Sequence, residues 1–466
     1  MIKFGTDGWR GLIARDFTFE NIRIVALATA NYLHNNITDK NISVVVGYDA
    51  RFLSKEFAEE TALVLASQGI KVYLSDRISS TPQVSFQTKE KNADLGVVIT
   101  ASHNPPQYNG YKVKGSFGGP ATPDQVKELE GELEKAKDDI EKTKIRAIEY
   151  YFKNNLITPF DAASTYIAQL KKLIDFEKIK EADYNVLYDP MYGSGINTIK
   201  EFLPEADEIH AEFNPGFGEI DHPEPIADCL PELTKALKVG KYHIGIATDG
   251  DADRVGLVDE NGEFVDSHKI FMIILKYLFE DRGERGDVVK TVSLTSMVNE
   301  YCIKNNIKLH ETPVGFKYTA ELMTKEKILL GGEESGGIGT MLHIPERDGL
   351  FMALMVLEVM ADKKKKLSEL CDDLDKEFGV HRYARRDVKV TQEQKENILS
   401  AAASEPKKLG KYDIKSVQTT DGYKFFVDGG WLLIRASGTE PLIRFYSEAD
   451  SLNKVNELLD EGRNLA

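Results

Sequence analysis

One pattern recurs along the chain. A short run of β-branched and apolar residues ends in a polar or Gly-rich loop, and a stretch of helical character follows. Residues 43–47 lead into Tyr48-Asp49, and 96–99 lead into Thr100-Ala101-Ser102-His103-Asn104-Pro105. Residues 185–188 lead into 189–193, 244–247 into Thr248-Asp249-Gly250-Asp251, 288–294 into Thr295-Ser296, and 328–330 into 331–335. Continuous apolar strands alternating with helices predict parallel, doubly covered sheets. In such folds ligands bind beyond the carboxyl ends of the strands, where these polar loops lie. From about residue 383 the character changes. Strand-like runs at 387–390, 423–427, 431–435 and 442–447 dominate, with helical patterns between them and at the end, which predicts a smaller α+β domain.

The charged stretch 127–144 reads as a solvated helix closing a first domain, and the four lysines 363–366 as a solvated helix end. The most apolar runs, 270–279 and 351–361, carry Lys276 and Glu358. They fall short of the roughly 20 apolar residues of a membrane span, so they predict core helices.

Length and charge narrow the picture further. The 466 residues, 42% hydrophobic and 29% charged, suit a soluble protein of several domains. The formal net charge of −16 argues against a nucleic-acid or anionic-membrane partner. An anionic ligand would need Arg, Lys, backbone N–H groups or a metal ion to reverse the local sign. Cys229, Cys302 and Cys371 are far apart with no CxxC spacing, so a disulfide framework or zinc site is not expected and a cytoplasmic setting fits. No leader is visible before Phe4-Gly5-Thr6-Asp7-Gly8.

Five segments carry candidate chemistry. In the first, Ser102 follows a buried strand, and Pro105 keeps Asn104 out of the helical region. A seryl oxygen is a weak phosphoryl carrier unless activated. His103 is adjacent and Lys112 follows, although strand alternation does not require His103 to face the Ser102 hydroxyl. In the second, Asp249-Gly250-Asp251-Ala252-Asp253-Arg254 places three carboxylates at alternate positions, and oxygen-only donors select a hard ion such as Mg²⁺. An EF-hand fails here: Arg254 stands where the loop needs Gly, and the flanks read as strands. A solvated acidic turn is the plain alternative. In the third, Glu333 and Ser335 stand among glycines in 331–337 and could bond sugar hydroxyls, although a flexible Gly-rich connection explains the same residues. In the fourth, Arg435-Ala436-Ser437-Gly438-Thr439-Glu440-Pro441, with Arg444 beyond, offers a planar cation, two hydroxyls and an open backbone amide to a phosphate dianion. Neither GxxxxGK[ST] nor GxGxxG is present, so nucleotide binding lacks support. In the fifth, Arg10 lies in the Gly-rich turn 5–11 and could bring a cation to a reacting phosphoryl group.

The first four of these segments, in chain order, resemble the signature loops of the α-D-phosphohexomutase family, the phosphoglucomutase and phosphomannomutase relatives, and the opening turn 5–11 matches too. The resemblance spans residues 4 to about 447. It implies three successive mixed α/β sandwich domains and a C-terminal α+β domain related to the TATA-box-binding-protein-like fold, around a central cleft. The expected boundaries are 1–146, 147–256, 257–368 and 369–466. It further implies that Ser102 is a phosphoserine, with Mg²⁺ between it and Asp249, Asp251 and Asp253. Arg10 and Arg254 would stabilise the transferring group, His103 and Lys112 would be acid/base candidates, Glu333 and Ser335 would bind sugar hydroxyls, and Arg435, Ser437, Gly438 and Thr439 would hold the distal phosphate. The implied reaction interconverts hexose phosphates through a 1,6-bisphosphate. Gly337 stands where dual-specificity and glucosamine enzymes carry His. Residues 312–317 look like the glucose-type specificity loop, with Lys317 a candidate contact. Glucose 1-phosphate and glucose 6-phosphate are therefore the expected substrates, with glucose 1,6-bisphosphate as activator and mannose or glucosamine phosphate as alternatives. A phosphomonoesterase and a non-catalytic sugar-phosphate binder are the readings from other classes. A monomer or homodimer is expected.

Overall fold

The computed structural model describes residues 2–5, 7–38, 41–404, 406–436 and 442–465. The first sheet contains β1 (Trp9–Leu12), β2 (Ser43–Tyr48), β3 (Lys71–Ser75), β4 (Leu95–Ile99), β5 (Tyr108–Gly115), β6 (Gly119–Pro120) and β7 (Ile157–Phe160), in the order β1-β5-β4-β2-β3-β7 with β6 on β5. The strands β4, β2, β3 and β7 run parallel, and β5 returns antiparallel beside β4. The last strand lies past residue 146, so this sheet draws on the segment leading to the second unit. The valine run of β2 shows why both faces are covered. Val44 and Val46 pack with the helix Phe19–Asn36, while Val45 points the other way onto Val84 and Val98.

The second sheet contains β8 (Val186–Asp189), β9 (Asp207–Glu208), β10 (Ile244–Thr248), β11 (Val255–Val258) and β12 (Phe264–Val265). The third contains β13 (Asp287–Thr291), β14 (Leu309–Thr312), β15 (Ile328–Gly332) and β16 (Ile338–Gly339). One continuous core joins them. Val186, Tyr188 and Ile246 of the second sheet and Val288 and Leu330 of the third all pack into the layer holding the helices Ser267–Lys276 and Gly349–Lys363. The two apolar runs of the sequence are these helices. The second is buried through Ala361, and its Glu358 accepts a hydrogen bond from Tyr277 at 2.8 Å. Among the described residues, no helix is long and apolar enough to cross a membrane.

The C-terminal sheet pairs β17 (Arg382–Lys389), β20 (Ser416–Gln418), β21 (Tyr423–Val427), β22 (Gly430–Ala436) and β23 (Leu442–Ala449) in the order β17-β23-β22-β21-β20, and between β17 and β20 the chain forms a two-stranded ribbon of β18 (Lys408–Leu409) and β19 (Tyr412–Asp413). One face carries Phe425, Leu432, Ile434 and Phe445 onto the helices Gln392–Ala403 and Leu452–Arg463. The alternate residues Trp431, Leu433 and Tyr446 pack against Val292 and Val314 of the third unit. The chain therefore forms three α/β units and a C-terminal α+β unit.

The first three units meet at a buried polar junction. Lys114 donates to Glu346 at 2.8 Å, Ser85 donates to the same oxygen at 2.9 Å, and the Tyr166 hydroxyl donates to Asp348 at 2.8 Å. Asp348 also caps the helix Gly349–Lys363 by accepting from the Phe351 N–H at 2.9 Å. Burial pushes its carboxyl up to about 7. A carboxyl raised in the folded state binds a proton that the unfolded chain has already released, so stability falls as pH rises between about 4 and 7. Asp348→Asn keeps the cap and removes the ionisation. It is expected to raise stability by roughly 2 kcal/mol at pH 8 and by much less at pH 5. Melting curves of both proteins at the two pH values check this, and an equal or opposite shift counts against it.

Candidate active site

Ser102 follows β4 with φ at 53°, a left-handed turn that takes it off the strand. This turn changes the expected relation to His103: Nδ1 of His103 lies 3.3 Å from the Ser102 hydroxyl. The loop is braced from below by Arg51, a residue that sequence reasoning missed. Its buried guanidinium donates to the carbonyls of Ser102 and Asn104 at 2.6 Å and to those of Pro105 and Tyr108 at 3.0 Å. Asp49 faces the same guanidinium at 3.3 Å. A hint lay in the sequence, because Asp49-Ala50-Arg51 also follows an apolar strand.

The Ser102 hydroxyl donates to Asp249 at 2.8 Å. Asp249 opens the loop after β10, and Gly250 presses directly on the Ser102 backbone. A Cβ at 250 would fall 2.4 Å from the Ser102 carbonyl oxygen, so only glycine lets the two loops meet this closely. Asp249, Asp251 and Asp253 are buried, and one oxygen from each lies within 4.8 Å of the others. Burial and the like charges of Asp251 and Asp253 push the Asp249 carboxyl well above the usual carboxylate range. Oδ1 of Asp251 and Oδ1 of Asp253 are buried without hydrogen-bond partners. Orphaned carboxylate oxygens in an oxygen-only cluster fit a hard divalent ion such as Mg²⁺. The flanking β10 and β11 confirm that this is not a helix-flanked calcium loop.

The opposite oxygens of the cluster face cations. Lys112 in β5 donates to Oδ2 of Asp251 at 2.7 Å and to Oδ2 of Asp253 at 3.1 Å, and reaches Asp7 at 2.7 Å. Thr81 also donates to Asp251. Burial opposes the ammonium, yet Asp251, Asp253 and Asp7 hold Lys112 protonated far above the ordinary lysine range. His103 is the reverse case. Burial first, and then Arg254, hold its imidazole well below the usual value, so it is neutral at physiological pH.

Arg10 in β1 is hydrogen-bonded to Asn104 of the serine loop. Arg254 donates to Glu224 at 3.1 Å. The loop between β15 and β16 lies against this group. Gly336, at φ 92°, accepts from the Val255 N–H at 3.1 Å. Glu333 accepts from the Gly315 N–H at 3.0 Å, and burial pushes its carboxyl up to about 7. Ser335 and Lys317 are half-buried. Burial lowers the Lys317 ammonium, against the pull of Asp7 and Glu130.

A second missed residue, Arg347, ties three loops together. It donates to Asp7 and Asp253, both at 2.6 Å, and to Glu333 at 3.4 Å. Its Cδ lies 2.4 Å from where a Cβ on Gly337 would stand, so the arginine fills the space a side chain there would enter. The buried charges of Pro345-Glu346-Arg347-Asp348, just before an apolar helix, were its only sequence signal.

On the C-terminal sheet, Arg435 in β22 is paired in register with Arg444 in β23, and Arg444 with Asp387 in β17. Arg385 lies two residues from Asp387, so strand alternation puts all three arginines on one face. Arg435 donates to Asp421 at 2.6 Å, and Asp421 accepts from the Val314 N–H of the third unit at 2.9 Å. Ser437, Gly438 and Thr439 lie outside the described residues.

The arrangement thus joins the buried Ser102 hydroxyl, an acidic cluster and convergent cations in one place. Comparison with known proteins agrees along the whole length. Four domain models described as phosphoglucomutase/phosphomannomutase match: alpha/beta/alpha domain I over residues 1–139, domain II over 164–262, domain III over 266–378 and the C-terminal domain over 387–465. A phosphoglucomutase/phosphomannomutase of Thermococcus kodakarensis is 32% identical, covering 98% of this chain and 97% of its own. A phosphoglucosamine/phosphogalactosamine mutase of Sulfurisphaera tokodaii is 31% identical over 98% of this chain and 97% of its own. A solved structure from Thermus thermophilus, described as a candidate phosphomannomutase, superposes with a TM-score of 0.85 at 33% identity, covering 100% of this chain and 98% of that one. The chain belongs to the phosphoglucomutase/phosphomannomutase family, whose members are intramolecular phosphotransferases.

Proposed function

We propose that this protein interconverts glucose 1-phosphate and glucose 6-phosphate, using Ser102 as phosphoryl carrier. The observation that carries this reading is the buried Ser102 hydroxyl, 2.8 Å from Asp249 at the edge of the acidic cluster. Asp249, Asp251 and Asp253 would hold Mg²⁺, which when bound would supply positive charge beside the transferring group.

In the forward step the sugar hydroxyl attacks the phosphorus carried by Ser102. The new sugar O–P bond forms as the Ser102 Oγ–P bond breaks, and the hydroxyl proton passes to a base. His103 is neutral and adjacent, whereas Lys112 is held charged by three carboxylates, so His103 is the better base of the two. Lys112, Arg10 and Arg254 offset the charge of the transferring phosphoryl group. The resulting 1,6-bisphosphate turns around, and its other phosphate returns to Ser102. Glu333, Ser335 and Lys317 orient the sugar. Arg435, Ser437, Gly438, Thr439 and Arg444 hold the phosphate that is not reacting.

The preference for glucose rests on Gly337 and on the 312–317 loop. Arg347 supports it, because it occupies the space beside Gly337. An amino-sugar phosphate is the second reading, favoured by the name of the Sulfurisphaera relative. Coupled assays with glucose, mannose and glucosamine 1-phosphates, with Mg²⁺ and trace bisphosphate, decide between them. We expect kcat/KM for glucose 1-phosphate to exceed the others by about tenfold or more. Equal or greater efficiency on glucosamine 1-phosphate would overturn the glucose assignment while leaving the mutase intact.

A further inference from the structure

Glu224 is absent from the chemistry above, yet it sits among its cations. It belongs to His222-Pro223-Glu224-Pro225, a turn pressed against the metal loop, where Pro223 Cγ lies 3.1 Å from the Cβ position of Gly250. The Glu224 N–H donates to the His222 carbonyl at 2.9 Å, and the Ile226 N–H donates to the Glu224 carbonyl at 2.8 Å. Two prolines and these bonds fix the backbone, so the carboxylate is held in place with only 4% of the residue exposed.

Three side chains converge on that carboxylate from different parts of the fold. Arg254 of the metal loop donates to Oε1 at 3.1 Å, Nη1 of Arg385 in β17 lies 3.9 Å from the same oxygen, and His222 lies 3.5 Å from Oε2. Burial opposes the charge, but His222, Arg254 and Arg385 together keep Glu224 ionised below the usual range. Two guanidiniums share one carboxylate oxygen, and the two contacts differ. The bond to Arg254 is buried. The contact to Arg385 is long, and the Arg385 side chain is 32% exposed, so it is a weak, breakable ion pair. Arg254 also keeps a buried Nε with no hydrogen-bond partner, a donor left over for an incoming oxygen.

We propose that Glu224 is a positioning residue that aims Arg254 at the transferring phosphoryl group and clips the C-terminal domain to the second domain through Arg385. The clip sets how long a doubly phosphorylated sugar is retained before its second transfer. A loose clip lets the bisphosphate escape, and each escape leaves Ser102 without its phosphoryl group until bisphosphate rebinds. This inference rests on the mutase reading.

The test uses full-length Glu224→Gln, Glu224→Asp, Arg385→Gln and the Glu224→Gln/Arg385→Gln double variant. The first readout is the concentration of added glucose 1,6-bisphosphate that gives half-maximal rate, alongside kcat, KM and melting temperature. Glu224→Gln is expected to raise that concentration about tenfold and to lower kcat more than it raises KM. Arg385→Gln should shift the bisphosphate requirement in the same direction, the double variant should be no worse than the stronger single one, and Glu224→Asp should recover part of the loss. A wild-type bisphosphate requirement in Glu224→Gln, or additive effects in the double variant, would overturn the clip. If Glu224→Gln fails to fold, Arg385→Gln carries the same test from the exposed side. If wild type shows no mutase turnover, the mutase reading fails by itself. The clip is then judged by small-angle scattering of the ligand-free proteins, where a radius of gyration in Arg385→Gln equal to wild type overturns it and a larger one upholds it.

Discussion

Ser102→Ala is expected to lose mutase turnover by at least about four orders of magnitude, with melting within a few degrees of wild type. The side chain is small, and the loop does not depend on it. Arg51 braces the carbonyls at 102, 104, 105 and 108, and the Ser102 N–H donates to the Thr100 hydroxyl at 2.9 Å. The hydroxyl itself makes one close bond, to Asp249. Its loss therefore removes the proposed phosphoryl carrier and leaves the scaffold. Steady-state rates with saturating bisphosphate, together with a melting curve, check both halves. Residual turnover above about one per cent of wild type would mean that another group carries the phosphoryl.

The second large effect is expected at the acidic cluster. Asp251→Asn keeps the shape and removes one of three buried charges. It should lower kcat about a thousandfold, because charge at the transferring group is neutralised by a preorganised site. A readout independent of turnover accompanies it. An ion that binds only the folded state stabilises by about 2.7 kcal/mol at a hundred times its dissociation constant. Wild type should therefore gain thermal stability as Mg²⁺ is titrated in, and Asp251→Asn should gain little at the same concentrations. Equal Mg²⁺-dependent shifts in the two proteins would show that Asp251 is not a ligand.

Much of this site could be read from the chain because its parts are contiguous. Thr100–Pro105 and 249–254 each follow an apolar strand, and a strand end presents short polar segments where periodicity and residue type can be recognised. The two apolar helices were equally plain, since core burial leaves no polar face to blur the pattern. What escaped was long-range. Arg51, Arg347 and Glu224 act through partners 94 or 340 residues away for Arg347, 30 for Glu224, and 51 to 57 for Arg51. Their neighbours in sequence carry no spacing that foretells those contacts. The turn at Ser102 escaped for a different reason: a positive φ in a non-glycine residue contradicts local preference, and the loop's packing against Gly250 and Arg51 enforces it.

The most direct measurement is phosphoryl transfer itself. Full-length protein is incubated with Mg²⁺ and radiolabelled glucose 1,6-bisphosphate, digested and mapped by mass spectrometry. A parallel sample is chased with unlabelled glucose 1-phosphate. One label per chain on Ser102, discharged in the chase onto glucose 1-phosphate as labelled glucose 1,6-bisphosphate, is the expected result. An unlabelled Ser102 in a preparation that turns over hexose phosphate, or label on a different residue, would contradict a phosphoserine mutase.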